Sequence, residues 1–201
     1  MANVLILYPK HFNCYSKFSR KVMKITSSLD VATLVYPCDP NGLIAKFCDD
    51  APEKMKIKGL ASWTLDDITH AIVFDDGEEF IKETEKLKEG GIPLRVVGIL
   101  ITRVINIKTE TEYQSVKSTP NYEYIGRGSY WGNPYSMYEE GGDREEVIRK
   151  FKYDFDYEKF PNKVKSEVYK LAGKRLGCFC KPQACHGDVL ADFLNSWDDG
   201  K

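Results

Sequence analysis

THAIVFDDGEEFIKETEKLKEGGIPLRVVGI, residues 69–99, carries the pattern that sets the fold class. His70–Asp75 is a continuous apolar run of strand length, bounded at its carboxyl end by the acidic turn Asp75-Asp76-Gly77. The spacing then predicts a helix over Glu78–Lys88 with a Gly90-Gly91 stop, followed by a second apolar strand over Leu94–Ile101. Apolar strands separated by a helix point to parallel pairing with both faces of the sheet covered. Working back toward the N-terminus, residues 3–8 (NVLILY) form another buried-type strand. Ser16–Leu29 carries Phe18, Val22, Ile25 and Leu29 at helical spacing, Val31–Tyr36 is a strand stopped by Pro37 and Pro40, and Gly42–Phe47 is a short helical turn. This alternation predicts an α/β protein, a Rossmann-like, largely parallel three-layer sandwich.

From Val104 the pattern changes. Ile105 and Ile107 alternate with polar residues as in an edge strand, and Lys108–Pro120 is polar enough to read as a linker. A smaller α/β module is expected after it, so the boundaries become 1–108, a linker over 109–120, and 121–201. Within that module Asp143 and Glu146 have capping-box spacing ahead of Val147, Ile148 and Phe151. Val164, Val168 and Leu171 mark a helix closed by Gly173, Arg175–Cys180 reads as a strand, and Val189, Leu190, Phe193, Leu194 and Trp197 mark a terminal helix.

The bulk properties exclude some classes. With 201 residues, 42% of them hydrophobic, and a formal net charge of −1, the chain is ordinary for a globular protein. It is not a basic coat for duplex DNA. No stretch approaches the roughly 18 apolar residues of a membrane span, so no membrane partner is expected. The opening MANVLILYPK has neither a basic leader nor a cleavage site, which argues against a signal peptide. Cys14, Cys38 and Cys48 are scattered rather than arranged as a disulfide framework, and reduced thiols in the cytoplasm are the expectation.

Three constellations carry chemistry. In the first, Cys178, Cys180, Cys185 and His186 fall within nine residues, just before a helix. Three thiolates and an imidazole make a tetrahedral zinc shell, although the C-x-C-x4-C-H spacing differs from a zinc knuckle. Alternatively Cys185 is a thiolate activated by the helix N-terminus, with His186 as base and Asp188 completing the catalytic set. The plainer alternative makes the cysteines small buried hydrophobes and His186 a helix cap.

The second is the loop Tyr124–Pro134, with three glycines among aromatic and polar residues. Arg127 suits a phosphate or carboxylate, Tyr130 or Trp131 suits stacking on a base or sugar, and Ser129 and Asn133 suit polar recognition. Against this stands a surface loop pinned by Trp131 in a core. The third is Asp75 and Asp76, placed where open α/β sheets bind ligands and where carboxylates contact ribose; a self-capping turn is the alternative. The first βα turn, Tyr8–Cys14, has no glycine fingerprint, which speaks against a dinucleotide site there. His11 and His70 read as structural.

YIGRGSYWGNPY (Tyr124–Tyr135), DREEVIRKF (Asp143–Phe151) and LAGKRLGCFCKPQACHGDVLADFLN (Leu171–Asn195) together resemble domain of unknown function 4326, a family common in bacteriophage genomes. That resemblance implies signature positions at Arg127, Trp131, Gly132, Asn133, Pro134, Cys178, Cys180, Cys185, His186 and Asp188, and a phage origin with the host cytoplasm as location. The family loop often carries another residue where Gly128 stands. Residues 69–99 are similar to the Rossmann-like SLOG group, which implies nucleotides or nucleotide-sugar-like ligands. The expected activity is that of a hydrolase or transferase acting on a glycosidic or phosphate bond of a nucleotide-like molecule or nucleic-acid end. The rivals are a non-catalytic factor that sequesters a nucleotide or binds a host protein, and a zinc-stabilised structural module.

Overall fold

The computed structural model describes residues 2–51, 53–138 and 142–201. The chain divides into two compact units, one running up to Ile99 and including Ser196–Lys201, the other spanning Leu100–Asn195.

The first unit contains β1 (Ala2–Leu7), α1 (Tyr15–Thr26), β2 (Ala32–Tyr36), α2 (Leu43–Asp50), β3 (Met55–Gly59), β4 (His70–Asp75), α3 (Ile81–Glu89) and β5 (Leu94–Gly98). Its strands are all parallel, in the order β3-β2-β1-β4-β5. Successive strand residues point to opposite faces, so Val73 and Phe74 report what covers each. Val73 clusters with Leu5, Leu7, Val35 and the α3 residue Leu87. Phe74 stacks on Phe12 at 5.1 Å and on the α1 residue Phe18 at 5.3 Å, and Phe18 meets Phe47 of α2 edge-on. Helices α1 and α2 therefore cover one face and α3 the other, the doubly wound arrangement that right-handed crossovers produce. The tail adds charge pairs, Lys17–Asp199 at 2.8 Å and Arg20–Asp198 at 2.7 Å.

Three details differ from the sequence reading. The strand β3, MKIKG, was not expected: only Met55 is buried, and exposed Lys56 and Lys58 mark a sheet edge. Helix α3 starts at Ile81 rather than Glu78, because the Asp76 carboxylate accepts from the Glu78 and Glu79 amides and Phe80 adopts a φ of 61°. Strand β5 ends at Gly98, three residues early.

The second unit contains β6 (Arg103–Asn106), β7 (Ser118–Thr119), β8 (Tyr122–Tyr124), α4 (Arg144–Asp156), a 3-10 stretch over Lys165–Leu171, β9 (Arg175–Cys178) and α5 (His186–Asn195). The strand order is β6-β9-β8-β7, with β9 parallel to both neighbours and β7–β8 an antiparallel hairpin. The stretch 109–120 is not a linker. It holds a 3-10 turn at Thr111–Tyr113 and β7, and Tyr113 stacks on buried Tyr122 with centroids 4.5 Å apart. Its polarity is that of an edge hairpin whose few large residues face inward. The helix expected around Val168 is of the 3-10 type, with Val164 exposed ahead of it.

The main core of this unit joins Ile125, Trp131, Phe151, Phe155, Leu176, Leu190 and Leu194. Helix α4 is capped as expected on one side: Asp143 accepts from the Glu146 amide at 2.7 Å, while the Glu146 carboxylate turns to Arg149 at 2.8 Å instead of closing the box.

The buried Asn195 side chain clamps the entry to this unit. Its Oδ1 accepts from the Thr102 amide at 2.8 Å and its Nδ2 donates to the Thr102 carbonyl at 3.0 Å. Replacing Asn195 with Ala leaves both backbone groups buried and unpaired. Asn195→Ala should cost about 2–4 kcal/mol, seen as a lower urea midpoint; a change below about 0.5 kcal/mol would show that the clamp is not needed.

Candidate functional site

The end of β9 and the start of α5 bring three sulfurs together. The Sγ atoms of Cys178, Cys180 and Cys185 all lie within 4.8 Å of one another, with Cys178 and Cys180 3.6 Å apart. The first two stay close because residues two apart leave an extended chain on the same side. A turn closed by the Gln183 amide on the Cys180 carbonyl then brings the chain back to Cys185.

Cys185 is the residue before α5, and its sulfur accepts from the Gly187 amide at 3.4 Å. The side chain thus occupies the place of a helix N-cap acceptor. Gly187 is required by packing, since a Cβ there would fall 2.4 Å from Ile125 Cδ1. Asp188 closes the cap from the other direction. Its Oδ2 accepts from the Cys185 amide at 2.9 Å, while Oδ1 pairs with Lys181 at 2.6 Å. Both oxygens of the expected catalytic carboxylate are therefore committed to shaping the turn.

His186 is 5% exposed and packs edge-on against Phe151. Its Nε2 lies 2.9 Å from the Ile125 carbonyl, and because a carbonyl only accepts, Nε2 carries the proton. Nδ1 faces the Cys185 sulfur at 3.7 Å. Burial pushes the His186 pKa down and keeps the ring neutral. The sulfur cluster does not include His186, so the four-ligand set read from the sequence contracts to three cysteines.

The three thiols share their charge. Hydrogen bonds from Cys178 and Cys185, helped by Arg144, pull the Cys180 pKa well down. Hydrogen bonding to Cys180 pushes Cys178 up, and hydrogen bonds to Cys178 and Cys180 push Cys185 up. The electrostatics thus favour negative charge on Cys180 over its two neighbours.

The glycine loop supplies a wall rather than a stacking platform. Trp131 is 4% exposed and lies edge-on to Phe155 in the core, so it is closed to a ligand. The hydroxyl of Tyr130 accepts from the Val164 amide at 2.8 Å, and Ser129 donates to the Gly126 carbonyl at 2.8 Å, which spends both on the loop itself. Asn133 donates to the Val147 carbonyl at 3.1 Å and accepts from the Tyr135 amide at 3.0 Å, fastening the loop to α4. Arg127 remains exposed and has no hydrogen-bond or ion-pair partner among the described residues.

Arg127, Asn133 and His186 all line one cavity of about 290 Å³, together with the three cysteines. Sequence reasoning did not single out the other wall residues, among them Arg144, Tyr135 and Phe179. Arg144 is the first residue of α4; it donates to the Ala184 carbonyl at 3.1 Å, and its charge helps to lower the Cys180 pKa. Its place directly after the Asp143 cap was the available signal.

Asp75 and Asp76 take no part in this cavity. Asp75 accepts from the Gly77 amide at 2.8 Å and Asp76 caps the next two amides, so the turn satisfies itself. The first βα turn of that unit is filled by the buried rings of Tyr8 and Phe12, and Asn41 Nδ2 donates to the Lys10 and Phe12 carbonyls at 2.8 Å each. A separate cavity of about 380 Å³ opens at the carboxyl end of the five-stranded sheet, where Lys86 lies 4.1 Å over the ring of Trp63.

A doubly wound α/β unit followed by a cysteine-centred α/β unit is thus the class of protein that fold and site define. The chain belongs to the minimal SLOG domain family, whose model matches residues 1–105, and residues 105–196 match domain of unknown function 4326. Over 72 residues it is 43% identical to an uncharacterized 12.4 kDa protein of the nrdA–td intergenic region of Enterobacteria phage T4, a match covering 35% of this chain and 65% of that relative. No solved structure matches. The minimal SLOG match suggests a nucleotide-related function. No helix among the described residues is long and apolar enough to cross a membrane.

Since Asp188 shapes the turn, Asp188→Ala should destabilise the protein by about 1–2 kcal/mol. Hydrogen exchange at the first-turn amides of α5 should rise first. Unchanged exchange there would return the carboxylate to a role in chemistry.

Proposed function

We propose that the protein binds and processes a nucleotide-like ligand in the cavity of its second unit, with a zinc ion held by Cys178, Cys180 and Cys185. The observation that carries this reading is the composition of that one cavity, with two guanidinium groups, Arg127 and Arg144, on the walls and three sulfurs beside them. Guanidinium pairs suit phosphoryl oxygens, and the rings of Tyr135 and Phe179 supply apolar wall for a base or sugar. Clustered thiolates suit zinc, whose ligands pack at sulfur separations of about 3.8 Å in a regular tetrahedron. The chemistry would fall at a phosphate or glycosidic bond.

The 3.7 Å approach of His186 Nδ1 to the Cys185 sulfur favours a second reading, in which metal-free Cys185 is the nucleophile and neutral His186 its base. The imidazole is already oriented for this by the Ile125 carbonyl. This reading needs the charge to move from Cys180 to Cys185, and it predicts that Cys185 alkylates faster than Cys14 or Cys38 despite its burial.

Elemental analysis should find about one zinc per chain, and chelation should lower the melting temperature. Calorimetry with nucleoside mono-, di- and triphosphates should identify a ligand whose affinity falls about tenfold or more in Arg127→Ala. Trp63→Ala should leave that affinity unchanged. The reverse pattern would move the ligand to the first unit's cavity and sink this assignment.

A further inference from the structure

We infer that the centre formed by Cys178, Cys180 and Cys185 is an open one, whose fourth position faces the cavity and accepts an anionic oxygen, the phosphoryl group of the ligand. This rests on the zinc reading above and goes further, by naming what completes the shell.

A structural zinc site is closed by four protein donors, whereas a site with three leaves a position for water or substrate. Among the described residues only three donor atoms gather within 4.8 Å. The obvious fourth, His186, brings Nδ1 to 3.7 Å from the Cys185 sulfur but stands outside the group of donors that gather within 4.8 Å.

Direction comes next. All three cysteines line the same cavity of about 290 Å³, so the unsupported side of the sulfur triangle opens on a volume large enough for a small ligand group.

Charge decides what that group is. Three thiolates on a divalent ion leave the centre with a net negative charge, which by itself repels an anion. Two features offset this at the sulfurs. Arg144 shares the cavity wall with Cys180, and the Gly187 amide at the positive end of α5 donates to Cys185 at 3.4 Å. Both draw electron density from the sulfur and preserve the Lewis acidity of the ion. Arg127 adds a cation on the cavity wall that no described residue neutralises. No carboxylate lines the cavity among the described residues. An anionic oxygen on the metal, with its remaining oxygens toward Arg127, satisfies all of these groups at once.

The test uses the full-length protein with cobalt(II) in place of zinc. Addition of inorganic phosphate, and separately of a nucleoside monophosphate, should shift the visible ligand-field bands of the cobalt protein. Arg127→Gln should weaken the half-maximal phosphate effect by about tenfold while metal content stays unchanged. His186→Phe, which keeps a ring against Phe151, should retain the metal and the anion response. X-ray absorption at the zinc edge of the wild-type protein provides a measurement that no variant can spoil, and it should count three sulfurs and one oxygen or nitrogen.

A protein that binds no metal removes the zinc reading, and the open centre with it. Metal bound with spectra indifferent to both anions, and lost in His186→Phe, leaves the zinc reading intact and overturns the open position alone. A response to the nucleotide equal to that of phosphate assigns the site to the phosphoryl group itself. A nucleotide response without any phosphate response means that the metal meets another part of the ligand, which also overturns the inference.

Discussion

Parallel pairing on both sides of β9 is the constraint on which the second unit depends. Asn106 lies opposite Cys178 on one side, and Tyr124 lies opposite Gly177 on the other. The ladder continues past the strand end, where the Ile125 amide donates to the Gly177 carbonyl at 2.9 Å. The glycine loop and the cysteine turn therefore leave the sheet from neighbouring strands at the same end. Both run parallel, so both exit in the same direction. Ligands in α/β sheets gather at the carboxyl ends of strands for this reason, and the cavity lies between the two exits. The approach is close: Gly177 has no room for a side chain beneath the Tyr122 hydroxyl, and Gly187 has none beneath Ile125.

Much of the fold could be read from residue patterns, and the exceptions share a cause. The strands NVLILY and HAIVFD are buried on both faces, so their apolar runs are unbroken and easy to see. MKIKG shows its lysines to solvent on an edge, and a strand that buries one residue leaves no pattern. The hairpin around β7 escaped notice for the same reason, its two-residue strand being fully exposed. At the site, the cysteine spacing pointed to a cluster because side-chain direction on an extended chain is fixed by covalent geometry. Nothing local could foretell that His186 would bond the Ile125 carbonyl, 61 residues away in the chain. Trp131 illustrates the same limit. An indole in a glycine-rich loop suits a ligand or a core equally, and only the position of Phe155 decides.

The two units treat their loops differently. In the first, the turn after β1 is packed with Tyr8 and Phe12 and tied by Asn41, and the turn after β4 is satisfied by its own aspartates. The polar groups of those two turns are already in use, and the cavity at that end of the sheet is walled instead by Trp63, Lys82, Glu83 and Lys86. In the second, Ser129, Tyr130, Asn133 and Asp188 are spent on the loops, and this spending leaves Arg127 and the sulfurs presented on a rigid rim. Residues that recognise nothing themselves can still set the geometry of those that do.

The position of β9 also has a temporal side. All five strands of the first sheet are present once residue 98 has been made, including the long-range β1–β4 pair that sets Val4 opposite His70. The second sheet cannot close until Arg175–Cys178 arrives, because β6 and β8 do not pair with each other and wait for it to insert between them. Closing β6 on β9 spans about 70 residues of chain, a loop-closure cost like that of the β1–β4 pair in the first sheet. During synthesis the first sheet therefore has the opportunity to form while β6 and the local β7–β8 hairpin still wait for their common partner. The three cysteines lie at and after the end of β9, so the cavity of the second unit forms only when its sheet has closed.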